Sequence, residues 1–276
     1  MPRNPEARRA SRRSRALKIS ALFSDYDGTL APEDVAREAS AVFEEIEGPL
    51  LRLGRSIPVA IITSKDFTFA GPRTPFARAW ACVSGMEIVL SDGRAFTTRV
   101  RGRRVEEGLK LVRRRHDLGL AIELKRSAKG GLLAFSVDWR GTSPPSRAFI
   151  EATTAALLGM GLAVDYDPTR PYLDVFGCRP DKGGAVKRLR RLLGVSGNVV
   201  FMGDSVADNP AFEEAELALC VDHGQDLENI RTRYILKRGQ VGRFLRRLAD
   251  DGLSVDLRAQ AELKIRRRPT KSEIFS

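Results

Sequence analysis

The sequence contains few of the residues on which histidine chemistry or a disulfide framework depends. It has two histidines, His116 and His223, and neither has a potential metal-ligand partner nearby in sequence. We therefore expect both to be surface or loop residues. The three cysteines, Cys82, Cys178 and Cys220, lack the paired spacing of a zinc site or of disulfides, so we expect them to be packing residues.

Long apolar runs are also missing. No stretch approaches the roughly 18 consecutive apolar residues that a membrane span needs, and no apolar segment of a secretory signal follows the N-terminal charges. We therefore expect a cytoplasmic protein without a membrane partner. A chain of 276 residues can bury one large core or two smaller ones.

The net charge of +12 is concentrated at the chain ends. Residues 1–18 carry half of this excess and lack apolar periodicity, so we expect a disordered basic tail there. Residues 251–276 form a second basic extension, which we expect to be peripheral; its basic cluster consists of Lys264, Arg266, Arg267, Arg268 and Lys271. The remaining chain is only mildly basic. This favours a small phosphorylated substrate over a nucleic-acid groove, although the tails could bind polyanions.

Two carboxylates follow the first apolar run. Residues 19–23 predict a buried strand, and Gly28 permits a tight turn that leaves Asp25 and Asp27 at the strand's carboxyl end. In open α/β sheets, that end is where ligands bind. Two such close acids favour a bound divalent cation, although Asp and Gly are also ordinary turn residues.

A βα rhythm continues from this turn. Apolar residues at helical spacing predict an amphipathic crossover helix; they are Val35, Ala39, Val42, Phe43, Ile46, Leu50 and Leu53. Residues 57–62 then predict a second buried strand, parallel to the first. Thr63 follows this strand, where its hydroxyl could bind a phosphoryl oxygen or cap the next helix. A strand over 80–84 and a hairpin over 86–96 come next.

The pattern changes over residues 97–178. Two helical patterns, near 105–112 and 149–157, alternate with strands at 120–124, 132–139, 162–165 and 172–176. This predicts an inserted α+β domain with helices on one face of a single sheet.

The βα rhythm resumes after the insertion. Lys182 opens a helix, residues 198–202 form a buried strand, and the loop 203–210 brings Asp204 and Asp208. Two strands, over 217–221 and 234–236, and a helix from Val241 to Leu248 complete the pattern. We predict an α/β fold with a doubly wound parallel-sheet core, residues 19–96 and 179–250, and the inserted domain.

This topology gathers six polar residues along one sheet edge, and together they suit phosphoryl transfer. Asp25 would attack phosphorus, and Asp27 would protonate the leaving alkoxide and later deprotonate water. Thr63 and Lys182 would hold phosphoryl oxygens. Asp204 and Asp208, with Asp25 and Asp27, would provide a Mg²⁺ site. Taken singly, Lys182 also suits a solvated helix lysine, and residues 203–208 an ordinary turn.

These residues resemble, in order and spacing, the four motifs of the haloacid dehalogenase superfamily. The resemblance spans residues 19–250 and covers Asp25-Tyr26-Asp27-Gly28-Thr29, Thr63, Lys182-Gly183 and Gly203–Asp208. The insertion between Thr63 and Lys182 resembles the type-two α/β cap of sugar-phosphate phosphatases.

Within that group, the cap resembles trehalose-6-phosphate phosphatases. The similarity lies in residues 122–125, in the strand ending at Arg140, and in Leu173-Asp174-Val175, where glutamate usually stands at 174. It implies that Glu123, Lys125, Arg140 and Asp174 bind substrate. Glu123 and Lys125 also suit an exposed pair on a strand face. Residues 203–209 and 137–140 depart from that family's pattern, and these departures bear on which sugar is bound.

The sequence therefore predicts a Mg²⁺-dependent phosphatase for a phosphorylated sugar, trehalose 6-phosphate first. A mannosyl-3-phosphoglycerate or general hexose-phosphate phosphatase is the alternative. A non-catalytic protein that binds RNA or acidic partners through its basic tails is a third possibility. Competent residues at all six catalytic positions favour an enzyme.

Overall fold

The computed structural model describes residues 16–33, 35–114, 120–140, 142–257 and 263–265. These residues form two compact units. The first comprises the chain up to Val59 and from Leu192 onward, and the second comprises residues 60–191. His116, residues 1–15 of the predicted tail, and the basic residues Arg258, Arg266, Arg267, Arg268 and Lys271 lie outside the described residues.

The chain alternates strands and helices. The strands are β1 (Leu17–Ser24), β2 (Val59–Ile62), β3 (Ala79–Cys82), β4 (Glu87–Leu90), β5 (Ala95–Thr97), β6 (Ala121–Arg126), β7 (Leu132–Asp138), β8 (Ala163–Tyr166), β9 (Tyr172–Phe176), β10 (Asn198–Gly203), β11 (Leu217–Asp222), β12 (Tyr234–Lys237), β13 (Ser254–Val255) and β14 (Leu263–Ile265). The helices are α1 (Glu44–Ser56), α2 (Phe67–Arg73), α3 (Gly102–Arg113), α4 (Arg147–Gly159), α5 (Lys182–Leu192), α6 (Asn209–Phe212) and α7 (Val241–Asp250).

The first unit is built on parallel strands. β1 pairs with β10, β10 with β11, and β11 with β12, all in parallel, and Phe23 lies opposite Phe201. β10 is buried apart from its first residue, and β1 is buried from Ala21 onward, because apolar side chains occupy both faces there. Parallel strands place their carboxyl ends at the same edge of a sheet, and the loops with Asp25 and Asp204 both leave from that edge.

One boundary prediction for this unit was wrong. β1 begins at Leu17, inside the predicted tail, because Leu17 and Lys18 pair with β13. The C-terminal extension contains two short strands that the sequence did not predict, since β13 pairs with β1 and β14 pairs with β12, both antiparallel. Strands of two or three residues are too short to show a periodic signal in sequence.

The crossover helix also begins later than predicted. Residues 35–43 contain only a short 3₁₀ turn, Arg37–Ala39, and α1 starts at Glu44. Phe43 is not helical (φ −59°, ψ 134°), and its N–H donates to the carbonyl of Leu30 at 2.9 Å, which fixes the entry to the helix. α1 packs closely against α7, where a Cβ on Gly242 would lie 2.6 Å from the carbonyl oxygen of Glu45.

The second unit contains two kinds of strand pairing. β2 and β3 are parallel, whereas β3, β4 and β5 pair antiparallel, and the predicted hairpin turns at Gly93 with φ +86°. A separate four-stranded antiparallel sheet has the order β6-β7-β9-β8. This confirms the predicted fold class, an α/β protein with a separate α+β sheet.

The antiparallel sheet is covered by helices on one face. Phe135 and Val175 point into an apolar cluster that includes Val105 and Leu109 of α3 and Leu157 of α4. Because side chains alternate along a strand, the residues between these positions lie on the opposite face. That second face carries Glu123, Lys125, Ser136 and Asp174, among others.

Three further predictions concern the whole chain. Cys82 and Cys220 are buried as expected, and Cys178 is partly buried. Among the described residues, no helix is both long and apolar enough to cross a membrane. Contacts between residues divide the chain at Val59 and Leu192. This division does not test where the cap begins and ends, so the cap boundaries at 97 and 178 remain a prediction.

Candidate active site

Asp25 is held directly after β1. Its N–H donates to the carbonyl of Met202 on β10 at 2.8 Å, and its Oδ1 accepts the N–H of Tyr26 at 2.7 Å. Gly28 has φ +70°, and a Cβ at this position would overlap the carboxylate of Asp204. The turn therefore needs glycine both for its backbone conformation and for the close approach of the second acidic loop.

The loop after β10 is organised by Asp208. One oxygen of this carboxylate, Oδ2, accepts the N–H of Asp204 at 3.1 Å and both the N–H and the hydroxyl of Ser205 at 3.0 and 3.1 Å. Asp208 is fully buried. These contacts fix the backbone of Asp204 at the end of the strand, so residues 203–208 form more than an ordinary solvated turn.

Asp25, Asp204 and Asp208 come together as a buried carboxylate group. One ligand atom from each lies within 4.8 Å of the others, and the residues are 7%, 4% and 0% exposed. Thr29 donates its hydroxyl to Asp204 Oδ1 at 3.2 Å. Three buried carboxylates repel one another unless a cation lies between them, and a set of oxygen donors suits Mg²⁺. Asp27, the fourth predicted Mg²⁺ ligand, is half-buried and does not belong to this group, so its role at the metal site remains a prediction.

Thr63 and Lys182 lie in the second unit, and both are buried. Thr63 is 0% exposed, and its Oγ1 accepts the N–H of Lys65 at 3.1 Å. It does not cap the following helix, because Asp66 does so by accepting the N–H of Phe69 at 3.1 Å. Lys182 is the first residue of α5 and is 5% exposed, which rules out a solvated helix lysine.

The open face of the antiparallel sheet carries a polar row. Glu123 lies opposite Ser136, Ser136 opposite Asp174, and Asp174 opposite Asp165. Each strand of the sheet thus contributes one polar side chain to the row. Lys125 of β6 reaches the row from the next position on the same face.

Lys125 and Asp174 form a buried ion pair. Lys125 Nζ lies 2.8 Å from Asp174 Oδ1, and the same oxygen accepts the hydroxyl of Ser136. Burial alone would raise the pKa of Asp174, but the charge and hydrogen bond of Lys125, the hydrogen bond of Ser136 and the charge of Lys65 together outweigh it and hold the pKa below the usual value. Burial and the charge of Asp174 raise the pKa of neighbouring Asp165.

The other two predicted substrate residues are more exposed. Glu123 is 23% exposed and lies 3.9 Å from Lys65 Nζ, which comes from the loop after β2. Arg140 is 46% exposed and makes a two-point contact with Asp138, with its Nε 2.8 Å from Oδ2. The alternative of an exposed strand-face pair is wrong for Lys125. The substrate roles of all four residues remain predictions.

Solved structures resemble this chain, although no protein-family profile matches its sequence and no curated protein is significantly similar. A protein described as related to trehalose-6-phosphate phosphatase matches with a TM-score of 0.67 and 17% identity, over 85% of this chain and 99% of that one. A haloacid dehalogenase-like hydrolase from Bacteroides thetaiotaomicron matches with a TM-score of 0.65 and 14% identity, over 84% and 100%.

The C-terminal domain of C. albicans trehalose-6-phosphate phosphatase also matches, with a TM-score of 0.65 and 17% identity, over 85% of this chain and 93% of that domain. The chain has the haloacid dehalogenase-like fold. This confirms the fold that the four motifs predicted. At these identities the likeness concerns the fold, so activity and substrate have to be argued from the residues themselves.

One residue of the haloacid dehalogenase-like core was misjudged from sequence. His223 lies in a loop, as predicted, but its side chain is only 11% exposed, and its Nε2 is 3.2 Å from Asp204 Oδ2. Glu33 Oε1 lies 4.0 Å from the same nitrogen. The hydrogen bond to Asp204 raises the pKa of His223 above its usual value. A single histidine in a loop has no periodic signal, so only the pairing of β10 with β11 places it beside Asp204.

Proposed function

We propose that the protein is a Mg²⁺-dependent phosphatase that hydrolyses a phosphorylated sugar through an aspartyl-phosphate on Asp25. The observation that carries this proposal is the buried group formed by Asp25, Asp204 and Asp208 at the ends of two adjacent parallel strands. Three carboxylates buried together repel one another, which an ordinary turn does not need, whereas a site for a cation and a phosphate requires them.

The donor set fits Mg²⁺ because all three ligands are carboxylate oxygens. Asp25, Asp204 and Asp208 would hold the ion. Bound there, it would offset the repulsion between Asp25 and an anionic phosphoester and draw charge from the phosphoryl oxygens.

The protein's own residues would perform the two chemical steps. A carboxylate oxygen of Asp25 attacks phosphorus, and the bond from phosphorus to the sugar oxygen breaks as Asp27 donates a proton to that oxygen. Water then attacks the phosphorus of the aspartyl-phosphate, Asp27 takes the proton from water, and the bond to Asp25 breaks to release inorganic phosphate. The half-buried position of Asp27 suits a group that exchanges protons with both substrate and water.

Thr63 and Lys182 are proposed to bind the phosphoryl group. Lys182 begins α5, where the partial positive charge of the helix end adds to its own charge. Its burial would strengthen its interaction with an anion compared with a solvated lysine. The hydroxyl of Thr63 is positioned at the end of β2 by its backbone bonds to Ala81 and Ser84.

Trehalose 6-phosphate is the proposed substrate. Support comes from the polar row on the antiparallel sheet, which offers fixed acceptors at Glu123, Asp174 and Asp165 and a cation at Lys125. Sugar hydroxyls need donors and acceptors held in place, and a buried network provides them. Further support comes from two of the matching structures, one described as related to trehalose-6-phosphate phosphatase and one as the C-terminal domain of the C. albicans enzyme.

Mannosyl-3-phosphoglycerate or a general hexose phosphate is the second candidate. A matching structure described as a subclass IIB sugar phosphatase, with 11% identity and a TM-score of 0.60, favours keeping this class in view. Either substrate is a small molecule, so the proposal needs neither nucleic acid nor a membrane, and we propose a cytoplasmic location. A non-catalytic polyanion-binding role would leave the buried carboxylates unexplained.

Phosphate release from a panel of sugar phosphates tests the proposal. The panel contains trehalose 6-phosphate, mannosyl-3-phosphoglycerate, glucose 6-phosphate and p-nitrophenyl phosphate, each with Mg²⁺ and with excess chelator. We expect release that depends on Mg²⁺ and is highest for trehalose 6-phosphate. Release from another sugar phosphate alone would identify that compound as the substrate in place of trehalose 6-phosphate. No release from any compound would contradict the proposal that the protein is a phosphatase.

A further inference from the structure

Asp204 belongs to two separate groups of possible metal ligands. One is the carboxylate group with Asp25 and Asp208. The other consists of Asp204, His223 and Glu33, whose ligand atoms also lie within 4.8 Å of one another. The five residues do not form a single group, so Asp204 is the residue that connects two donor sets.

The second donor set has the spacing of a coordination site. Bonds of 2.0–2.1 Å in a tetrahedral site place neighbouring ligand atoms about 3.3 Å apart. His223 Nε2 and Asp204 Oδ2 are 3.2 Å apart. Glu33 Oε1 is 4.0 Å from the same nitrogen, and its side chain is 55% exposed.

The loop after β11 holds the imidazole in this position. His223 donates its backbone N–H to Gln225 Oε1 at 2.9 Å, and Gln225 Nε2 donates to the carbonyls of Asp204 and Val221, each at 2.8 Å. The histidine and the aspartate are therefore linked through one glutamine side chain. This preorganisation reduces the ordering that ligand binding would require.

The chemistry of the second set differs from that of the first. Mg²⁺ prefers oxygen ligands, whereas imidazole nitrogen suits Zn²⁺, Cu²⁺, Co²⁺ and similar ions. We propose that Glu33, Asp204 and His223 form a second cation position, bridged to the first by Asp204, that selects a divalent transition metal over Mg²⁺. The inference does not require the phosphatase proposal, because it concerns binding alone.

Isothermal titration of metal-free protein with Co²⁺ and with Mg²⁺ tests the inference. Wild-type protein should bind two Co²⁺ ions but only one Mg²⁺ ion per chain. His223→Ala and Glu33→Gln should each lower the affinity for the second Co²⁺ ion by at least about tenfold, in line with the loss of a metal-site partner. In Glu33→Gln, which leaves the contact between His223 and Asp204 in place, Mg²⁺ affinity should change by less than about threefold. Glu38→Gln is the matched control, because Glu38 is an exposed acid of the same segment.

Spectroscopy identifies the nitrogen ligand independently of affinity. Pulsed electron paramagnetic resonance of the Cu²⁺-loaded protein should show coupling to ¹⁴N that disappears in His223→Ala, while thermal unfolding shows that the variant remains folded. Glu33→Gln, an exposed and nearly isosteric change, provides a second test should His223→Ala fail to fold. Binding of only one Co²⁺ ion per chain by the wild type would overturn the inference. An equal loss of affinity for Co²⁺ and Mg²⁺ in His223→Ala would also overturn it and leave His223 as a hydrogen-bond partner of Asp204. Loss of the Asp25 site would instead abolish Mg²⁺ binding.

Discussion

Lys125 and Asp174 form an ion pair of 2.8 Å between β6 and β9, with side chains only 3% and 12% exposed. The two strands are not neighbours, and β7 lies between them and contributes Ser136 to the pair. The pair therefore ties three strands of the sheet together across its polar face. A substitution at Lys125 consequently affects the fold as well as any bound sugar.

Lys125→Met should destabilise the protein by about 3–5 kcal/mol, because it leaves the charge of Asp174 buried without a partner. The free energy of unfolding in urea measures this change. Lys129→Met, an exposed change in the following loop, is the control and should cost less than about 0.5 kcal/mol. Equal stability of the two variants would show that the pair contributes little to folding.

Glu123 is the better residue with which to test sugar recognition, because it is partly exposed. Glu123→Ala should lower kcat/KM for the true sugar phosphate by roughly ten- to a hundredfold, the value of a hydrogen bond to a charged group. Hydrolysis of p-nitrophenyl phosphate, which has no sugar hydroxyls, should barely change. Equal loss with both substrates would indicate a folding defect instead, and no loss with either would remove Glu123 from the binding site.

The lowered pKa of Asp174 predicts a stability change in acid. A carboxyl group with a folded-state pKa below its unfolded value of about 3.9 stabilises the fold above that pH, and this stabilisation is lost as the pH falls through the folded pKa. The difference in unfolding free energy between wild type and Asp174→Asn should therefore shrink as the pH falls from about 5 towards 2. A difference that stays constant over this range would contradict the assignment.

Asp27→Asn should impair the second chemical step most clearly, since the amide cannot accept a proton from water. We expect a severe loss of turnover together with a phosphorylated protein that accumulates when substrate is added. Acid quenching followed by intact-mass measurement detects the added phosphate. A variant with normal turnover would show that another group moves the proton.

The sequence was sufficient to predict the strands and acidic loops of the core, because buried parallel strands are continuous apolar runs. Asp25 and Asp204 follow such runs, so their meeting at one edge follows from the topology. The start of α1 was placed too early because Val35 and Ala39 have helical spacing without forming a helix. The hydrogen bond from the Phe43 N–H to the Leu30 carbonyl, which precedes the helix, leaves no trace in the apolar periodicity of the sequence.

The contacts of isolated polar residues could not be predicted in the same way. Lys125 and Asp174 are 49 positions apart, and their pairing depends on the register of three strands. His223 approaches Asp204 only through the loop after β11. Which residue a single lysine, aspartate or histidine contacts depends on tertiary structure, and such a contact leaves no local pattern in the sequence.

The central claim is that Asp25 attacks phosphorus, and the turnover of Asp25→Asn tests it most directly. Asparagine is a poor nucleophile but keeps the shape of the side chain. Because the shape is kept, circular dichroism should show an intact fold. Phosphate release from the best sugar phosphate with Mg²⁺ should fall below about one part in a hundred of the wild-type rate. A folded variant that retains more than this fraction would contradict the role of Asp25 and with it the proposed mechanism.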